Sequence, residues 1–224
     1  MAQSQRWPLI CLLGTFAAVL AWSAVRPHDY FTWGLEVFPA IIALAVLAAT
    51  YSRFQFTTFV YLLVTVHACI LFLGGHYTYA EVPLGNWVRD SFHLARNHYD
   101  RLGHFAQGFV PALVAREVLL RRKIVLRRGW LFFIVVSICL AISAAYELLE
   151  WRVAVATGSA ADAFLGTQGD PWDTQEDMAT ALVGALAALL GFSRWHDRMI
   201  ADKDREHLPR MHADTEKGTG AGLR

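Results

Sequence analysis

The 224-residue chain is 55% hydrophobic and only 17% charged, with a mean hydropathy of +0.35. A soluble domain carries roughly 25% charged residues, so this composition excludes a disordered chain and argues against a soluble enzyme. Twenty Lys and Arg against nineteen Asp and Glu leave a formal charge of +1, with no basic excess of the kind that holds nucleic acid.

In chain order, runs long enough to cross a bilayer core of about 20 apolar residues fall at 8–26, 31–50, 56–76, 101–120, 130–151 and 174–195. The first could pass for a signal peptide, but its length and the lack of an A-x-A site favour a retained helix. The fourth is the weakest, because it contains His104, Gln107, Arg116 and Glu117. The expected fold is therefore all-α, a polytopic membrane protein with six transmembrane helices over 1–195. A tail at 196–224 has mixed charge and no apolar period, so it reads as disordered and cytoplasmic, with His196, His207 and His212 solvated.

Orientation follows from Lys and Arg near the span ends. One set of loops holds Arg6, Arg53, the cluster Arg121, Arg122, Lys123, Arg127 and Arg128, and then Arg198, Lys203 and Arg205. That set is expected in the cytoplasm, with both termini. Trp7, Trp22, Trp33, Trp130, Trp151, Trp172 and Trp195 fall near span ends, as an interfacial belt requires. Cys11, Cys69 and Cys139 share no metal-type spacing and read as apolar fillers.

Ionisable groups at membrane depth cost about 2.5–3.5 kcal/mol each on insertion scales. Here most of them lie at the external span ends. The third span ends in Gly75-His76-Tyr77-Thr78-Tyr79, and the fourth opens Asn97-His98-Tyr99-Asp100-Arg101-Leu102-Gly103-His104. The fifth ends Tyr146-Glu147-Leu148-Leu149-Glu150-Trp151, and the sixth is entered through Gly166-Thr167-Gln168-Gly169-Asp170-Pro171-Trp172-Asp173-Thr174-Gln175-Glu176-Asp177. At about 100° per residue, Asp100, His104 and Gln107 share one stripe; Ser143, Glu147 and Glu150 share a second; Asp173 and Asp177 share a third that continues through Thr180 and Gly184. Three polar stripes at one depth are far cheaper facing each other than facing lipid. They predict one external pocket, with His76 and Glu36 contributing.

Carboxylates so gathered need protons, an arginine or a cation to offset their repulsion. Oxygen ligands with one or two histidines suit a divalent ion such as Zn²⁺, Mn²⁺, Mg²⁺ or Fe²⁺. The candidate ligands are His76, Asp100, His104, Glu147, Glu150, Asp173 and Asp177. Glu147, Glu150 and His104 are the candidate catalytic groups, with Tyr77, Tyr79, Gln107, Asp170 and Gln175 around them. Simpler readings compete. Asp100, Asp173 and Glu176 suit helix N-termini, and Arg101 or Arg152 could neutralise the carboxylates without a metal. Glu147 and Glu150, near a helix C-terminus that disfavours acids, fit capping least. His67, in mid-span, reads as a partner of a neighbouring helix, Arg116 and Glu117 as snorkelling groups, and Ala181, Gly184, Ala185, Ala188 and Gly191 as a face for close helix contact.

The polar strings are specific. Gly75–Ala80, Asn97–His104 with Gln107-Gly108, Tyr146-Glu147 with Glu150-Trp151, and Phe164–Asp170 with Trp172–Gln175 and Asp177-Met178 resemble the YjdF-like family of bacterial inner-membrane proteins over about residues 8–195. The resemblance implies a multi-pass inner-membrane protein and brings no substrate, reaction or cofactor with it.

Three functions compete. The first is a metal-dependent hydrolase that faces outward and acts on a lipid or envelope substrate through a metal-activated water. The second is a proton- or cation-coupled permease, for which the inner halves of the fifth and sixth spans offer few polar groups. The third is a non-catalytic component of a membrane complex. The lipid bilayer is the expected environment in every case.

Overall fold

A computed structural model describes residues 3–158 and 162–205. Its helices are α1 (Gln3–Ser23), α2 (Tyr30–Thr50), α3 (Thr58–Tyr77), α4 (Pro83–Phe92), α5 (Tyr99–Arg121), α6 (Arg128–Thr157), the short α7 (Asp162–Leu165) and α8 (Asp173–Arg205). A 3₁₀ turn at Tyr79–Glu81 precedes α4, and a π-helical turn at Ala188–Phe192 interrupts α8. No strand occurs among the described residues.

Four helices, α2, α3, α6 and α8, are long and apolar enough to cross a membrane. The apolar part of α1, Trp7–Ser23, is shorter. α5 has the length, at 23 residues, but it carries Asp100, Arg101, Arg116, Glu117 and Arg121. The surface is that of a protein solvated by lipid: Ile10, Val66, Phe133 and Leu190 are all widely exposed, while Glu117, Asn97 and His196 have no exposure at all. This inverts the ordinary soluble pattern.

Local signals set the helix starts. Asp29 caps α2 by accepting from the Thr32 N–H at 2.6 Å, and that bond holds its carboxyl below the ordinary value. Thr57 caps α3 through the Val60 N–H. Pro39 in α2 and Pro111 in α5 each remove one backbone donor inside a helix.

α5 and α8 form the closest pair in the bundle. Gly108 of α5 lies against the Ala181 carbonyl, and Gly184 of α8 lies against the Phe105 carbonyl. Neither position has room for a Cβ. Ala181, Gly184, Ala185 and Ala188 form the contact face expected from the sequence, but Gly191 lies outside it and is exposed. α3 and α6 flank the pair through a core of Val60, Leu113, Val135 and Cys139. Phe16, Val37, Ala68 and Phe72 then seat α1 and α2 on α3. α2 packs on α3 and α7 but barely touches α5 or α6.

The last helix does not stop at 195. It runs to Arg205, and His196 is fully buried rather than solvated. Residues 206–224, with His207 and His212, lie outside the described residues.

Replacing Gly184 with Ala should destabilise the protein by about 1–3 kcal/mol, the usual cost of overpacking, because the new methyl meets backbone. Gly14→Ala, where a Cβ meets nothing within 4 Å, should leave the melting temperature in detergent unchanged or raise it.

Candidate functional site

The α3–α5 and α6–α8 connections meet at one end of the bundle, and the polar strings hold them together. Asn97, fully buried, donates to the Val82 carbonyl (3.0 Å) and to Asn86 Oδ1 (2.9 Å) and accepts from the Tyr99 N–H. Its own peptide groups pair with the Gln168 amide in both directions, at 3.0 and 2.9 Å. The entry to α5 is thereby tied to the loop that precedes α8.

Two arginines reinforce this join. Arg96 Nη1 donates to Asp173 (2.7 Å) and Asp170 (3.1 Å), and Nη2 donates to the Gly166 carbonyl. Arg101, on the first turn of α5, bonds Asp177 through Nη1 and Asp173 and Glu176 through Nη2, the last two at 2.9 Å. The Asp170 carboxyl also accepts from the Trp172 N–H, and these bonds hold it below the ordinary carboxylate range.

Inside this clamp lies a second layer. His104 Nε2 is 3.5 Å from Asp100 Oδ1 and 3.5 Å from Asp177 Oδ1. One donor atom from each of these three buried residues lies within 4.8 Å of the other two. The other ring nitrogen, Nδ1, meets Gln107 Oε1 at 3.0 Å. Nδ1–H donates to that oxygen, and Nε2 is the ring nitrogen that faces the two carboxylates. Glu147 Oε1 stands 3.8 Å from Nδ1 and has no hydrogen-bond partner among the described residues. One turn below it on α6, the buried Ser143 hydroxyl is unpartnered too.

A cavity of about 380 Å³ opens beside this layer. Glu36, Tyr79, Asp100, His104, Tyr146 and Glu150 line its polar end. The Tyr146 hydroxyl reaches Glu36 Oε2 at 3.4 Å, across the space between α6 and α2. The rest of the wall is apolar, apart from His67 and Gln107.

The stripes expected to converge do so. Asp100, His104, Gln107, Glu147, Asp173 and Asp177 are gathered, with Glu36, Tyr79 and Glu150 on the cavity wall. Others separate from them. His76 is engaged elsewhere: its Nδ1–H donates to the Ser23 carbonyl (3.0 Å), and its ring packs on Trp22 and Tyr77. That takes His76 out of the ligand set and ties Tyr77 to α1. Asp173 is engaged by both arginines, and Asp170 belongs to the same clamp. Gln175 is exposed. Of the two arginines considered as neutralisers, Arg101 is the one used; Arg152 lies over the Trp151 ring.

At the opposite end of α5, Glu117 and Arg116 do not snorkel. Glu117 has no exposure and accepts from the Thr57 N–H and hydroxyl, both at 2.8 Å, and from Arg121 at 3.0 Å. Arg116 donates to His196 Nδ1 (3.3 Å), so Nε2 carries the proton and donates to Glu117 Oε2 at 3.1 Å. The sequence reading missed Arg96 and this second cluster. The signal available for Arg96 was its place directly before the Asn97 string.

The family profile described as "Predicted membrane protein (DUF2238)" matches residues 8–198. The chain is 50% identical over 186 residues to a protein named "Inner membrane protein YjdF" from Escherichia coli (strain K12), covering 83% of this chain and 89% of that one. No solved structure matches.

Arg101→Gln would strand Asp177 in a buried setting, while Asp173 keeps Arg96, and should cost about 3–5 kcal/mol, the range for breaking a buried pair. Combining it with Asp177→Asn should recover part of that loss. Arg152→Gln should be neutral. Thermal unfolding of the purified variants measures all three.

Proposed function

The chain belongs to the DUF2238 family of membrane proteins and is a multi-pass protein of the bacterial inner membrane; we propose that it is a metal-dependent hydrolase that faces outward and acts on an ester of a lipid or envelope molecule. In this reading α1, α2, α3, α5, α6 and α8 make six crossings with both termini in the cytoplasm. Arg121, Arg122, Lys123, Arg127 and Arg128 support that orientation, since they sit at the end opposite the carboxylates. α4 supports it as well. Its exposed Leu84, Trp87 and Phe92 suit a helix lying in the interface on the acidic side.

The observation that carries the reading is the donor set of Asp100, His104 and Asp177. A tetrahedral ion with bonds of about 2.0–2.2 Å keeps its ligand atoms about 3.3–3.6 Å apart. The two 3.5 Å separations around His104 Nε2 match that spacing, and they are long for hydrogen bonds. Gln107 orients the ring as an outer partner does for a ligating histidine. An ion held there would lower the pKa of a bound water. Glu147 Oε1, buried and unpartnered on the Nδ1 side of the same ring, would be the base in this reading. Glu150 and Glu36 line the space a substrate would occupy.

Elemental analysis of the detergent-purified protein should find near-stoichiometric divalent metal, lost in His104→Ala and Asp177→Asn. A wild-type protein that neither carries nor takes up Zn²⁺, Mn²⁺, Mg²⁺ or Fe²⁺ overturns the reading.

A coupled permease is the second reading, favoured by one observation. Glu117, paired with His196 of α8, lies on the same helix as His104, 13 residues on, or about 20 Å at 1.5 Å per residue. Val110, Ala112 and Leu113 lie between them, all buried. Proton or cation flux in proteoliposomes, lost in Glu117→Gln, would reverse the ranking.

A further inference from the structure

The cavity beside the acidic site continues well past its polar end. On α2 its wall runs from Glu36 to Leu47. Eleven residues at 1.5 Å each give a depth of about 16 Å, close to half of a hydrocarbon core about 30 Å thick. The cavity begins six residues inside α2 and ends three residues from that helix's far end, so it crosses the middle of the bilayer. Below Glu36 the α2 wall is Pro39, Ala40, Ala43, Val46 and Leu47, and the α5 wall continues through Val110, Pro111 and Val114. Apart from His67 and Gln107, such a lining offers a peptide or a sugar hydroxyl no partner, and leaving those groups unbonded is costly. A hydrocarbon chain loses nothing there. At about the volume of one water per methylene, ~30 Å³, the cavity's 380 Å³ holds roughly a dozen methylenes.

The cavity is loosely closed on one side. α2 and α6 each contribute wall, yet they scarcely touch. At the polar end they are bridged by the short α7, which packs on both, and by the hydrogen bond from the Tyr146 hydroxyl to Glu36 Oε2. Helices that share a cavity without packing on each other leave a slot through which a chain can move sideways from the leaflet.

We propose that this cavity is the chain-binding site for a membrane amphiphile, which enters between α2 and α6 and brings its head group to Asp100, His104 and Glu150. The inference deepens the hydrolase reading and rests on the acidic end being a substrate site, because it makes the substrate a lipid from the outer leaflet. Depth, lining and slot all suit one apolar chain. Tyr146 and Glu36 form the latch at the mouth.

The test uses the full-length protein in proteoliposomes with two probes: a phospholipid carrying a photoreactive diazirine in one acyl chain, and a free fatty acid carrying the same group. On irradiation, peptides around Ala43 and Val114 should be labelled above the lipid-facing surface of α8. Ala43→Trp and Val114→Trp, each filling the cavity, should abolish that labelling. Leu190→Trp, on an exposed face, should leave it unchanged. Labelling by the phospholipid assigns a two-chain lipid, and labelling by the fatty acid alone assigns a single-chain one; both support the site. Uniform labelling, or labelling of the α2 and α5 peptides that survives in both Trp variants while they keep the wild-type melting temperature, overturns it. Metal content of the same samples separates the two readings. Labelled protein without metal keeps the chain site and loses the metal centre, and metal-loaded protein without labelling does the reverse.

Discussion

Hydrocarbon cannot solvate an isolated carboxylate, and the arrangement of this bundle depends on that constraint. Glu36, Asp100, Glu147, Glu150, Asp170, Asp173, Glu176 and Asp177 are collected around one end of α5. Against them stand Arg96, Arg101 and His104. α5 is the meeting point because its first turn carries both an acid and a base. Arg101 reaches across to α8, while Asp100 and His104 turn inward. The close approach of α5 and α8, which Gly108 and Gly184 permit, brings these side chains within bonding distance. Close backbone contact and charge pairing therefore depend on each other.

The division of labour within the cluster follows from charge. The arginines engage Asp170, Asp173, Glu176 and Asp177, which fastens the loops and fixes the orientation of α8. Buried ion pairs of this kind are weak evidence for stability in themselves, since desolvation offsets much of the attraction. Their effect is geometric. They leave His104 and Glu147, with Asp100 held only at 3.4 Å from Arg101, in a layer with fewer cations than acids, next to a cavity. A fold seeking only stability would not retain the unpartnered Glu147 oxygen.

Much of this was legible in the sequence. Hydropathy marked the apolar runs, and the cost of burying acids showed that the stripes at 100–107, 143–150 and 173–177 belong together. Helical spacing, however, says which face a residue occupies and not which partner it takes. Asp173 and Asp177 lie on one stripe, yet Asp173 is engaged by both arginines and Asp177 also faces His104. His76 looked equivalent to His104, but a free carbonyl at the end of α1 and the Trp22 ring engage it first. Arg116 and Glu117 looked like interfacial groups, because their partner His196 lay in a segment with no apolar period.

The π-helical turn at Ala188–Phe192 explains that last misreading. From Asp177 to His196 is nineteen residues, which on a regular helix leaves the two about 100° out of phase. A π turn absorbs roughly one extra residue. Nineteen positions then advance the helix as eighteen would, five whole turns, and both side chains face α5. A single widened turn thus keeps one helix in register with two separate charge centres. A one-residue deletion there would restore a regular helix of eighteen positions and keep both side chains on the α5 face, whereas a one-residue insertion would rotate the distal half of α8 and leave Glu117 without its imidazole.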